Sequence, residues 1–137
     1  DYFEQAAADI DVGALVTPIG CDWDGDGDDD LVCGNTAGYL LFVENLSGPN
    51  VDPPRFARPR HLSITGETAP YRVMAGPNGS IQGPAEAKWG YTTLSVVDWD
   101  ADRDLDIVHN SIWGRVVWLE NVGSATAPRL AAPREVA

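Results

Sequence analysis

Eleven aspartates fall in two short stretches, CDWDGDGDDDLVC from Cys21 to Cys33 and VDWDADRDLDIVH from Val97 to His109. Six carboxylates within nine positions repel one another strongly, so a cation is expected among them. Calcium takes six to eight oxygen ligands, and alternate aspartates in a tight loop can direct their carboxylates at one centre. The first loop offers Asp22, Asp24, Asp26 and Asp30 by side chain and Asp28 by its carbonyl. The second offers Asp98, Asp100, Asp102 and Asp106, with Asp104 by its carbonyl. Gly27 relieves the sharp turn of the first loop, where a positive φ strains other residues. Arg103 replaces it in the second loop, bringing a positive charge beside the site, so weaker calcium binding is expected there. The plain alternative is an acidic turn left to solvent.

Other metals fit less well. An EF-hand needs a bidentate Glu at the twelfth loop position, where this chain has Cys33 and His109, and it needs helical flanks. The flanks here are rich in Val and Ile, which suits strands. Magnesium takes few carboxylates and keeps its waters. Two dispersed histidines, His61 and His109, make no zinc cluster.

The elements that must position these loops read as short strands. Val12 to Ile19 enters the first loop, Leu31 to Cys33 leaves it, and Asn35 to Gly38 is a turn. Tyr39 to Asn45 is a buried third strand, and Arg55 to Leu62 an outer one, where Pro59 is tolerable only at an edge. The same order returns as Tyr91 to Val97, Ile107 to His109, a turn at Gly114, Arg115 to Asn121 and Pro128 to Val136. Shifting the chain on itself by 76 aligns 22–48 with 98–124 without a gap and with ten of 27 positions identical, too many for chance. PRFARPR (54–60) then matches PRLAAPR (128–134) across a shorter loop. The organisation expected is a leader (1–11), a first unit (12–63), an unrepeated insertion (64–89) with a possible strand at 71–74, and a second unit (90–137).

The Asp loops, the strands ending Glu44-Asn45 and Glu120-Asn121, and the following Pro-Arg-Phe and Pro-Arg-Leu resemble the VCBS/FG-GAP repeats of extracellular β-propeller proteins. The resemblance covers about 100 residues, 12–62 and 90–137. It implies an all-β fold of two four-stranded propeller-type blades, each with calcium between its first two strands, and an extracellular or cell-surface location. Arg103 departs from the family pattern, and nothing of the family transfers to 64–89. Two blades cannot close a propeller, which takes four to eight. Further blades or like subunits are therefore expected partners, the chain being a piece of a longer protein or one part of an assembly.

The net charge of −12 is local: outside the two loops, ten acids stand against nine bases. Two divalent cations would bring it to −8. No basic stripe exists for nucleic acid, and no apolar run approaches the roughly 20 residues of a membrane helix. Asp1-Tyr2-Phe3-Glu4 is no signal peptide. Cys21 and Cys33, symmetric about Gly27, can face each other as a disulfide across the base of the hairpin, or be two small buried core residues. No Cys-x-x-Cys redox pair is present.

Three functions are compatible with these features. A binding or structural module for a glycan or an extracellular protein would use Arg72, Trp89, Tyr91, His109 and Trp113, whose aromatic faces and guanidinium suit sugars and carboxylates. Core packing or surface decoration is the plainer role for each. A lyase-like, polysaccharide-degrading enzyme part would draw on His109, Tyr91, Arg72 and Lys88, by analogy of fold alone. A fibre or surface-layer subunit would instead join edge to edge. Asn45-Leu46-Ser47 and Asn78-Gly79-Ser80 are glycosylation sequons, meaningful only in a suitable host.

Overall fold

The computed structural model describes residues 10–75 and 90–136, and these fold as two four-stranded antiparallel sheets, with no helix among them. The first sheet runs β1 (Thr17–Cys21), β2 (Asp30–Gly34), β3 (Leu40–Val43), β4 (Arg60–His61) in that spatial order. The second runs β5 (Thr93–Val97), β6 (Asp106–Asn110), β7 (Val116–Leu119), β8 (Arg134–Glu135). Neither sheet closes on itself. Every strand sits inside the segment expected for it or within two residues of it. The outer strands are only two residues long, and such short edges offer little template for pairing with another chain. No strand forms at 71–75; Arg72 makes one isolated bridge to Tyr39. The leader up to Asp9 and the sequon at Asn78 lie outside the described residues.

Registers coincide under the 76-residue shift. Cys21 pairs with Asp30 as Val97 pairs with Asp106, and Pro18 pairs with Cys33 as Leu94 pairs with His109. This overturns the disulfide. The loop closes at Cys21–Asp30, so Cys33 stands opposite Pro18, three residues further along. An offset of three puts the two thiols on opposite faces of the sheet. Both are free cysteines, in separate apolar clusters.

The core lies between the sheets. Val32, Leu40 and Phe42 from one face of the first sheet meet Leu94, Ile107 and Leu119 of the second, with Trp23, Ile64 and Leu130 completing the cluster. The other face of the first sheet, with Cys33, Leu41 and Val43, is covered by Ile10, Val12, Val16 and Phe56. Residues 12–16 thus act as a cover, not as the start of β1.

Equivalent strands bury opposite parities. In β1 the half-buried residues are Thr17, Ile19 and Cys21, while their counterparts in β5, Thr93, Ser95 and Val97, are exposed. The sheets therefore pack in sequence, one face of the first on the opposite face of the second, with β5 lying against β1 and β2. A three-way crossing locks them together. The carbonyl of Val73 lies so near Gly38 and Gly90 that a Cβ built on either would stand 1.8 or 2.2 Å from it. Only glycine permits that approach.

Candidate metal centres

Each Asp loop spans the β1–β2 or β5–β6 hairpin and is folded by its own aspartates. Asp22 accepts the backbone N–H of Asp26 (3.0 Å) and of Gly27 (3.1 Å), and Asp26 accepts that of Asp28 (3.2 Å). Asp98 does the same for Asp102 and Arg103 (both 3.1 Å), and Asp102 for Asp104 (3.1 Å). These turns need left-handed backbone at two points. Gly25 (φ 73°) and Gly27 (φ 96°) supply it in the first loop, but Ala101 (φ 67°) and Arg103 (φ 80°) must supply it in the second.

Asp30 and Asp106 begin the strands after the loops and bolt each hairpin to the end of its third strand. Asp30 accepts N–H from Trp23 (3.1 Å) and Asn45 (2.8 Å), and Asp106 from Trp99 (3.0 Å) and Asn121 (2.7 Å). The pair Glu44-Asn45 and Glu120-Asn121 is thereby explained in part: each Asn closes the loop. Asn45 is buried and its side-chain amide donates to the carbonyl of Asp29 (3.2 Å), so this sequon is occupied by structure.

Ligand-type oxygens of Asp22, Asp24 and Asp30 lie within 4.8 Å of one another, and so do those of Asp98, Asp100 and Asp102. These groups could hold a metal ion. Asp24, Asp28 and Asp104 each keep a buried carboxylate oxygen with no hydrogen-bond partner among the described residues. A buried, unpaired anionic oxygen is costly, and a cation is one group that could satisfy it. Asp28 and Asp104 as a whole are buried, and the Gly48 N–H reaches the other oxygen of Asp28 (2.9 Å). Their side chains, assigned only a carbonyl role from the spacing, therefore belong to the loop interior. Spacing alone could not show that, because it says nothing of which positions are buried.

Electrostatics point the same way. Burial, then the charge of Asp102, pushes Asp104 up to about 6, and burial raises Asp30 to about 6 against the pull of the Asn45 and Trp23 amides. Burial followed by neighbouring carboxylates also raises Asp24, Asp28 and Asp100. Burial and mutual repulsion thus disfavour the charged form of these carboxyls, and a cation among them would favour it. The Cys21 thiol beside them is pushed up to about 12, chiefly by burial and then by Asp30, which makes it a poor nucleophile.

The residues singled out for ligand contact are placed separately. Arg72 stacks over Tyr39 (4.7 Å) and donates from Nε to the carbonyl of Ala37 (2.8 Å), bracing the β2–β3 turn. Tyr91 donates its backbone N–H to Thr36 and has φ 49°. His109 is buried at the interface between the sheets, where Nε2 meets the Tyr71 hydroxyl (2.9 Å) and burial lowers its pKa. Tyr71, 38 residues away in the chain, gave no sequence signal of this pairing. Trp113 is exposed in the β6–β7 turn. Trp89 and Lys88 lie outside the described residues.

No family model, curated protein or solved structure matches this chain.

Proposed function

We propose that this chain is a calcium-stabilised extracellular repeat module, its sheets being propeller-type blades, which presents a surface to a glycan or protein partner. The observation that carries the reading is the combination of clustered carboxylates with buried, unpartnered oxygens on Asp24, Asp28 and Asp104. The ligands are oxygen only and numerous, which suits calcium better than magnesium or zinc. The metal holds the hairpins and performs no chemistry. Contact with a partner falls to exposed aromatic surface such as Trp113. The lyase-like alternative is disfavoured by its candidate base, since His109 is buried and already paired with Tyr71.

Calorimetry of the metal-free chain against calcium and against magnesium tests the metal. Two calcium sites are expected, Asp24→Asn abolishing one and Asp100→Asn the other, with magnesium far weaker. At calcium a hundredfold over Kd, binding adds about 2.7 kcal/mol per site to stability. Absence of binding, or equal preference for magnesium, overturns the assignment.

A further inference from the structure

Beside their apolar core the two sheets are joined by a polar seam. The β2–β3 turn is held there from two sides. Val73 donates its N–H to the carbonyl of Gly38 (2.8 Å), and Tyr91 and Thr92 donate theirs to Thr36 and Asn35 (both 3.2 Å). Tyr71, tied by its own N–H to the carbonyl of Leu62 (2.8 Å), sends its hydroxyl across to Nε2 of His109 in β6 (2.9 Å). A segment anchored to the first sheet is thus latched to a histidine of the second.

That histidine is poorly placed to carry charge. It is 2% exposed, and its Nδ1 has no hydrogen-bond partner of ordinary geometry among the described residues. The buried Thr92 hydroxyl beside the seam has none either. Within its own sheet the ring stands between Leu94 of β5 and Val117 of β7. One strand further out, next to Val117, Glu135 is exposed and already paired with Arg115 (3.3 Å). The first sheet presents Thr17 and Ile19 of β1 and Val32 and Gly34 of β2, none of them titratable, while Cys21 and Asp30 pair at the loop end of that sheet. Arg72 is engaged with Tyr39 and Ala37. Tyr71, its phenol pushed up to about 12 by burial, stays neutral. Burial lowers the pKa of the ring, and the Asn110 carbonyl raises it without making up the loss.

We propose that this seam is an acid-released latch: a proton taken up by His109 frees the crossing at 71–73 and residues 91–92 from the first sheet, while the apolar core keeps both sheets folded. The Tyr71 hydroxyl can turn from donor to acceptor, so its bond to Nε2 survives protonation. What the closed seam lacks is hydration for an imidazolium held away from water with no carboxylate beside it. Local opening returns that hydration. The sign follows from the burial. The closed seam binds the proton more weakly than the open one, whose histidine titrates near its ordinary 6.5. Closure is therefore complete above that pH and weakens below it, by up to about tenfold in the closed-to-open ratio per pH unit. In the metal-free protein Asp30 and Asp104 act in the opposite sense, since burial raises them and protonation favours the folded state. The proposal does not depend on which metal the loops hold or on what the chain binds.

Amide exchange, corrected for its intrinsic pH dependence, tests the latch on the full chain between about pH 7.5 and 5, in millimolar calcium and again with chelator. The seam amides of Tyr71, Val73, Tyr91 and Thr92 are compared with amides paired inside β2–β3 and β6–β7. The expected result is an opening of the seam that grows up to about tenfold per pH unit below about 6.5, with the strand amides unmoved. The His109 ring, followed by NMR in the same samples, should titrate below 6.5. His109→Gln keeps a hydrogen-bonding group but cannot take the charge, so it should abolish the pH dependence, and His61→Gln should preserve it. Three results overturn the proposal. A His109 ring that titrates at or above 6.5 in the native chain, read without any substitution, shows that the closed seam bears the charge. A pH dependence that survives in His109→Gln belongs to another group. Strand amides that open together with the seam show unfolding of the whole, with no latch.

Discussion

Replacing Arg103 by glycine should make the second Asp loop behave more like the first. Arg103 holds φ 80° where Gly27 holds 96°, and a Cβ at Gly27 meets nothing within 4 Å, so the positions differ in backbone strain more than in packing. A left-handed backbone costs an L-residue about 1–2 kcal/mol, and the added freedom of glycine in the unfolded chain returns about 0.4–1 kcal/mol of that. Arg103→Gly should therefore stabilise the metal-free protein by roughly 0.5–1 kcal/mol, about 2–5 °C in Tm. The charge acts separately. A guanidinium about 7 Å from a divalent ion in water opposes it by about 1.2 kcal/mol, reduced to roughly half at physiological ionic strength. Calcium affinity at the second loop should rise about threefold at physiological salt and about sevenfold at low salt. Arg103→Ala isolates the two effects, because it removes the charge and keeps the strain: affinity should rise as for glycine, while metal-free Tm does not. Differential scanning calorimetry and titration calorimetry at two salt concentrations read these outcomes. A metal-free Tm that falls in Arg103→Gly, or an affinity gain indifferent to salt, refutes the reasoning.

Gly38→Ala should cost several kcal/mol, because its Cβ would strike the Val73 carbonyl, whereas Gly114→Ala in the equivalent turn (φ 69°, open surroundings) should cost about 1 kcal/mol. Comparable losses in denaturant melts would show that the crossing is not close-packed. In the metal-free protein, Asp30 and Asp104 titrate near 6 when folded, above the ordinary carboxyl value of 3.8. Their contribution is fullest below about pH 4 and is lost as pH rises through 6, so Asp104→Asn should flatten the pH dependence of metal-free stability and calcium should restore stability at pH 7.5. An unchanged slope in Asp104→Asn would show that Asp104 does not set this dependence. Denatured protein alkylated without reductant should show two modified cysteines, and reductant should leave Tm unchanged; a crosslinked Cys21–Cys33 peptide by mass spectrometry would contradict the register.

The legible part of this molecule was the part written in spacing. Alternate aspartates marked the loops, and runs such as Tyr39 to Asn45 marked the strands, because a tight loop and a buried strand each impose a short-range pattern. Hairpin register was not legible. The symmetry of Cys21 and Cys33 about Gly27 suggested one closure, while the Asp30 carboxylate, tied to the amides of Trp23 and Asn45, sets another. An aspartate's place inside a strand depends on those amides, which the sequence does not reveal. Nor could TPIGC and TLSVV disclose that they bury opposite parities, since both alternate weakly and the choice is made by the neighbouring sheet. The Tyr71–His109 contact is a tertiary accident of the same kind.

The one-directional packing of the sheets also bears on synthesis. When the first sheet leaves the ribosome, Val12 and Val16 have already emerged to cover the Cys33 face. The opposite face, with Val32, Leu40 and Phe42, waits for Leu94, Ile107 and Leu119, the last of them about 75 residues later. At 5–20 residues per second that is roughly 4–15 s during which an apolar sheet stands open to water and to other nascent chains. A chaperone that accompanies translation would therefore find its target on the Phe42 face, and the Cys33 face would already be closed to it.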